Sequence, residues 1–178
     1  LEPETLAFFE CCSRDSRAKI VHWPYPYNYS AINNFAAAQA SGTYLCLLNN
    51  DTEVIERSWL RTMMGHAIRA DVGAVGARLP YPDLSIQHAG IVVGMGNAAG
   101  HAHRGLPKDE PGWFAQTFAT RTATAVTAAC LVVSVEKFSA VSGLDEENLA
   151  IAYNDVDLCL KLQKAGWRNI YAAQAVMV

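Results

Sequence analysis

The sequence predicts an α/β fold with a mostly parallel central sheet. Amphipathic helical stretches alternate with short apolar runs through the first half of the chain, the order expected of α/β architecture. "TYLCLL" is a continuous apolar run without alternation, the pattern of a strand buried on both faces in a parallel sheet. The hydrophobic share, 51% of 178 residues, is enough to fill one core, so a single domain is expected.

In chain order, "PETLAFFECCSRD" has apolar residues at helical spacing, with Glu4 or Thr5 near its start. "AKIVHW" reads as a short strand and "PYPYNYS" as a proline-set loop. Ser30 is placed to cap the alanine-rich helix "AINNFAAAQAS", which Gly42 closes. After "TYLCLL" come "RSWLRTMMGHAIRA", an amphipathic helix, and the strand "VGAVGA". Glycines and prolines then punctuate residues 79–112; "SIQHAGIVVG" suits a strand or hairpin, and "NAAGHAHRGLPKDEPG" a long functional loop. "TATAVTAACLVVS" reads as a second buried strand, and "VEKFSAVSG" as a short helix ended by Gly143. "NDVDLCLKLQKAGW" is a helix capped by Asn154 and ended by Gly166, and "RNIYAAQAVMV" a last strand.

A net charge of -3 gives no bulk electrostatic reason to bind nucleic acid. Cys11, Cys12, Cys46, Cys130 and Cys159 form no C-x-x-C pair and read as reduced thiols of a cytoplasmic protein. The opening residues do not read as a signal peptide, and the most apolar run is too short and threonine-rich to span a bilayer.

Three groups could carry chemistry. Asn49, Asn50 and Asp51 end an apolar strand; they suit a turn, or a ligand site beyond a strand's carboxyl end, where Asp51 could reach a hard cation. Asp155 and Asp157 open a helix behind Asn154; they suit the macrodipole, or a rigidly held general base. His88, His101 and His103 surround a glycine-rich segment, but histidines without a nearby acid or cysteine are a weak metal signal. "GIVVGMGNAAG" lacks the dinucleotide spacing, and no Walker A, G-x-S-x-G or H-E-x-x-H motif occurs.

Taken together, "YNYSAINNFAAAQASGTYLCLLNNDTEVI", "AACLVVSVEKFSAVSGLDE" and "NDVDLCLKLQKAGWRNIY" resemble glycosyltransferase family 2, above all bacterial enzymes of O-antigen and surface-polysaccharide assembly. The resemblance implies a GT-A fold, a three-layer α/β/α sandwich truncated at both ends. Residues 1–78 would be the remainder of the nucleotide-binding half and 79–178 the acceptor-side half. It implies transfer of a sugar from a nucleotide-diphospho-sugar to a hydroxyl of a saccharide or lipid-linked saccharide, with inversion and with Mg2+ or Mn2+. The family's D-x-D motif falls on Asn49, Asn50 and Asp51, so the first acid is an amide and Asp51 is the implied metal ligand. The Glu-Asp motif falls on Asn154 and Asp155, making Asp155 the implied base. Asn34 falls on an asparagine of the nucleotide-side helix.

Position alone suggests Gln87, His88, His101, His103 and Arg104 as acceptor-side or lid residues, and Asp157 as a stabiliser of its helix start. Open sheet edges in such a fragment would favour a homodimer. Its lipid-linked substrates would bring the protein to the inner face of the cytoplasmic membrane. The competing readings are a degenerate, non-catalytic nucleotide-sugar-binding domain and a nucleotidyltransferase, which would want a basic glycine-rich phosphate loop absent from this sequence.

Overall fold

A six-stranded mixed sheet organises residues 2–178, which this computed structural model describes. Its order is β1 (Tyr44–Leu48), β7 (Cys130–Ser134), β2 (Val72–Pro80), β8 (Arg168–Val176) and β6 (Arg121–Ala123), with β3 (Ile86–His88) paired to β2. A separate hairpin joins β4 (Ile91–Val93) to β5 (Ala99–His101). Among the described residues, of the strand pairings only β2 with β8 is parallel. The α/β class holds, but the expected mostly parallel sheet does not. A continuous apolar run reports burial on two faces, and an antiparallel strand with helices on both sides meets the same condition.

Helices cover both faces. On one, α3 (Trp59–Ala67) lays Met63 and Ala67 over Val72, Val75 and Ile170. On the other, α4 (Val135–Ala140) and α5 (Asn154–Lys164) bring Phe138, Leu158 and Leu162 against Ala74, Leu131 and Tyr171. Small residues in β2 let this second layer approach closely. A Cβ on Gly76 would stand 2.4 Å from that of Val126, so a side chain there would displace the segment entering β7.

Local details depart from the sequence reading in instructive ways. Asn28, not Ser30, caps α2 (Tyr29–Gln39), its Oδ1 accepting from the Ala31 N–H at 2.9 Å. Ser30 is buried inside the helix and donates to the Leu149 carbonyl. "AKIVHW" pairs with no strand, and Ile20 and Val21 stay exposed, whereas α1 (Pro3–Cys12) buries no residue. β1 alternates, Leu45 and Leu47 buried and Cys46 and Leu48 exposed, because it ends the sheet and α3 packs on β2, β7 and β8 instead. The segment read as one strand over 122–134 divides into β6 and β7 around an irregular stretch. At α5, Tyr153 holds the cap position in the left-handed region (φ 60°), and Asn154 is the first helical residue. The five cysteines are all free thiols, and Cys130 and Cys159 are buried. Among the described residues no helix is long and apolar enough to cross a membrane.

One buried amide joins three of these parts. Where the β2–β8 ladder shifts register between Val72 and Val75, Asn169 Oδ1 accepts from the Ala74 N–H at 3.3 Å. Its Nδ2 donates to the Thr124 carbonyl at 3.0 Å and to the Cys159 carbonyl of α5 at 2.9 Å. Asn169 is wholly inaccessible, so losing the amide strands buried backbone groups. Asn169→Ala is expected to lower unfolding stability by about 3 kcal/mol, read from urea denaturation at neutral pH; a loss below about 1 kcal/mol would show that the amide holds nothing together.

Candidate active site

A cavity of about 510 Å³ opens where the ends of β1, β5 and the segment before β7 meet the start of α5. Asn49, His101, Arg104, Thr127, Asn154 and Asp155 line it, with Tyr29 of α2 closing one side. A smaller cavity of about 180 Å³ adjoins it, sharing His101, Arg104, Thr127 and Ala129 and adding Gln87 and Tyr81. Residues separated by more than a hundred positions thus share one polar hollow.

Each wall is set by local chemistry. Asn49 leaves β1 with its N–H donated to the Ala129 carbonyl at 2.9 Å, and Thr52 closes the turn through its hydroxyl on the Asn49 carbonyl at 2.7 Å. Asp155 lies in the first turn of α5, where the helix dipole favours a carboxylate. Its Oδ2 accepts from the Ala128 N–H at 3.1 Å and its Oδ1 from the Val156 N–H at 2.8 Å. A carboxylate has about four lone-pair sites, so two backbone bonds orient it and leave capacity for a ligand. Tyr29 donates to the Ala128 carbonyl at 3.2 Å; burial, and then the nearby Asp155 charge, push its phenol up to about 12, keeping it a neutral donor.

The histidines divide. β3 turns back from β2 through a tight turn in which Asp83 accepts from the Ser85 N–H and hydroxyl. That turn places His88 wholly inside the protein, its Nδ1 2.9 Å from His101 Nδ1. His101, at the end of β5, is half-buried and lines both cavities. Burial, then the neighbouring His101 and Arg121, hold His88 well below the ordinary histidine value. Burial also lowers His101, with Arg104 adding to the effect and Asp155 opposing it.

Of the residues singled out from the sequence, Asn49, His101, Arg104, Asn154 and Asp155 meet in the main cavity, and Gln87 joins them from the smaller one. Asn50 and Asp51 stand on the exposed turn just beyond Asn49, outside the cavity lining. Three of the residues line neither cavity. Asn34 does not face the cavity: its Nδ2 donates to the Leu144 carbonyl at 2.8 Å and its Oδ1 accepts from the Leu144 N–H at 3.0 Å, clamping the loop after α4. His88 is too deep to touch an acceptor. His103 is turned to Gln116, 3.3 Å from its Oε1, and the supposed open loop around it contains the β4–β5 hairpin. Asp157 pairs with Lys161 at 2.9 Å along α5. Tyr29, Thr127 and Tyr153 also line the cavity and were not singled out; the left-handed backbone of Tyr153 is invisible in a bare sequence.

Among the described residues, nowhere do three or more His, Cys, Asp or Glu side chains gather as a protein-only metal site. The Asp51 carboxylate makes no hydrogen bond to the described residues and is exposed. One exposed carboxylate two residues beyond Asn49 fits a cation that draws its remaining ligands from a diphosphate and water, the habit of Mg2+ with nucleotide substrates.

The chain is 45% identical over 176 residues to the uncharacterized protein y4gI of Sinorhizobium fredii (strain NBRC 101917 / NGR234), covering 98% of this chain and 19% of that protein. It is 42% identical over 177 residues to the O-antigen biosynthesis protein RfbC of Myxococcus xanthus, covering 99% of this chain and 14% of that protein. The chain therefore spans less than a fifth of the length of these curated relatives. In fold it is similar to GalNAc-T7, solved with UDP, GalNAc and Mn2+ (TM-score 0.75, 11% identity, 98% of this chain and 34% of that one). It is likewise similar to the mannosyltransferase PcManGT from Pyrobaculum calidifontis, solved with GDP-Man and Mn2+ (TM-score 0.66, 15% identity, 99% of this chain and 43% of that one). These likenesses make the fold GT-A. The model of the family "Glycosyl transferase family 2" matches residues 3–104, over half of the chain, and the chain belongs to that family.

Proposed function

We propose that this chain is the catalytic part of an inverting transferase that moves a sugar from a nucleotide-diphospho-sugar to a hydroxyl of a saccharide or lipid-linked saccharide. One observation carries the reading: the Asp155 carboxylate faces a polar cavity while two backbone N–H groups hold it still. Membership in the family supports sugar transfer, and the kinship with RfbC supports a place in O-antigen or related surface-polysaccharide biosynthesis.

The reaction is a displacement at the anomeric carbon. The acceptor hydroxyl oxygen forms a bond to that carbon as the bond to the diphosphate oxygen breaks. The hydroxyl proton passes to Asp155, and the nucleoside diphosphate leaves with the bonding electron pair. A base positioned opposite the leaving group produces inversion. Asn49 and Asn50 serve the donor's diphosphate or ribose side by hydrogen bonding. Gln87, His101 and Arg104 serve the acceptor side, from the smaller cavity. In this division residues 1–78 belong to the donor half and 79–178 to the acceptor half.

Asp51 is the residue that would hold a divalent cation, Mg2+ or Mn2+, and such an ion supplies charge neutralisation for the departing diphosphate. Mn2+ accompanies the nucleotide or nucleotide-sugar in both solved relatives of the fold, which supports the assignment. The free outer edge of β1, with Cys46 and Leu48 exposed beside it, supports self-association of this chain into a dimer; sedimentation should show a mass that rises with concentration, and a monomer at every concentration refutes it.

Asp155→Asn in the intact protein is expected to lower turnover at least ~10²-fold while donor binding by calorimetry persists. Near-wild-type turnover removes Asp155 as the base. Donor binding by the wild-type protein with neither transfer nor donor hydrolysis would establish a binding domain instead. Asp51→Asn is expected to weaken the Mn2+ dependence of donor binding; an unchanged metal titration removes Asp51 as the ligand.

A further inference from the structure

The contact between His88 and His101 has only one consistent assignment of hydrogens. His88 Nε2 lies 3.3 Å from the Gly90 N–H and 3.5 Å from the Thr127 N–H. A backbone N–H can only donate, so Nε2 must offer its lone pair. His88 is fully buried, and the groups around it are Arg121 of β6, the Tyr171 ring and His101 itself, with no carboxylate to support a cation. Its ring is therefore neutral and carries its hydrogen on Nδ1. That hydrogen points to His101 Nδ1 at 2.9 Å, which must accept it. His101 then bears its own hydrogen on Nε2, an atom with no hydrogen-bond partner among the described residues.

We propose that His88 locks His101 as the Nε2–H tautomer, so that His101 presents one uncharged N–H donor to an uncharged oxygen of the acceptor saccharide where the two cavities join. Protonating His101 on Nδ1 would set two hydrogens against each other, so the imidazolium form is excluded by geometry. The charged groups facing His101 are Asp155 from α5 and Arg104 from the turn after β5. Asp155 acts on His101 more strongly than Arg104 does, so the balance of charge disfavours an anionic ligand oxygen there, and a sugar hydroxyl or ring oxygen is not subject to it. His101 also lines the smaller cavity beside Gln87 and Tyr81, the side assigned above to the acceptor, and the contact is given to the acceptor on that ground. The assignment to an acceptor rests on Asp155 being the base; the tautomer does not. His101 is thus a specificity residue, and His88 a positioning residue acting through it.

Nitrogen-15 NMR of the imidazoles in this chain tests the lock without any turnover. Across pH 5.5 to 8, a span chosen to bracket the ordinary histidine value of about 6.5, His101 should show a protonated Nε2 and a pyridine-type Nδ1, and His88 the reverse. A His101 that carries hydrogen on Nδ1, or titrates to the imidazolium near pH 6.5, overturns the lock. His88→Phe should release it, giving a mixture of His101 tautomers and a returning titration; an unchanged His101 spectrum counts against His88 as its cause. Methyl hexopyranosides at high millimolar concentration, and separately inorganic phosphate, probe the ligand class. A shift of the His101 Nε2–H signal with the pyranosides supports the proposal. A shift with phosphate alone, or with neither, overturns the sugar-oxygen assignment. Asp155→Asn should leave the tautomers unchanged, so failure of the base assignment and failure of the lock are read separately.

Discussion

The bond between the Ala128 N–H and the Asp155 carboxylate holds the site together. Ala128 precedes β7, the strand between β1 and β2, and Asp155 opens α5 on the sheet's second face. The bond ties the mouth of a helix to the mouth of a strand. Without it the acid would be one more exposed residue in a helix's first turn, where acids are common because of the dipole. With it, the acid has a direction. Tyr29 reinforces the same point by donating to the Ala128 carbonyl, so one peptide segment is gripped from α2 and α5 together.

Close packing behind the site makes this geometry repeatable. Gly76 admits Val126 against β2, and Asn169 ties β2, the segment before β7 and the interior of α5 into one unit. Movement of α5 along the sheet would therefore break buried hydrogen bonds as well as apolar contact, which makes sliding costly. Lys137 does similar service at the far end, its ammonium donating to the Arg69 carbonyl at 3.3 Å and the Ala70 carbonyl at 3.0 Å after α3.

The polar wall is graded in charge. Asp155 supplies a negative charge and Arg104 a positive one, and the same lining holds the neutral groups Asn49, Tyr29 and His101. The neutral groups stay neutral for physical reasons. Burial raises the phenol of Tyr29 and lowers the imidazole of His101, and neither gains by ionising in place. A cavity so built can read hydroxyl oxygens by the direction of its neutral donors. Asp51 stands outside this lining, on the exposed turn just beyond Asn49.

The sequence by itself determined the class of fold, most helices and the carboxylate at the start of α5, because helical periodicity, glycine stops and first-turn acids are local properties of a chain. It also placed Asn49 at a strand end. It could not decide strand direction, since an apolar run reports burial and not the orientation of a partner far away in the chain. It offered Asn34, His88 and His103 as ligand-facing because polar side chains near motifs look alike in one dimension. Tertiary structure alone decided that Asn34 clamps Leu144, that His103 turns to Gln116 and that His88 lies buried behind His101. Whether a polar atom faces a ligand or the protein depends on which backbone group the fold carries to it, and that is settled only when distant segments pack.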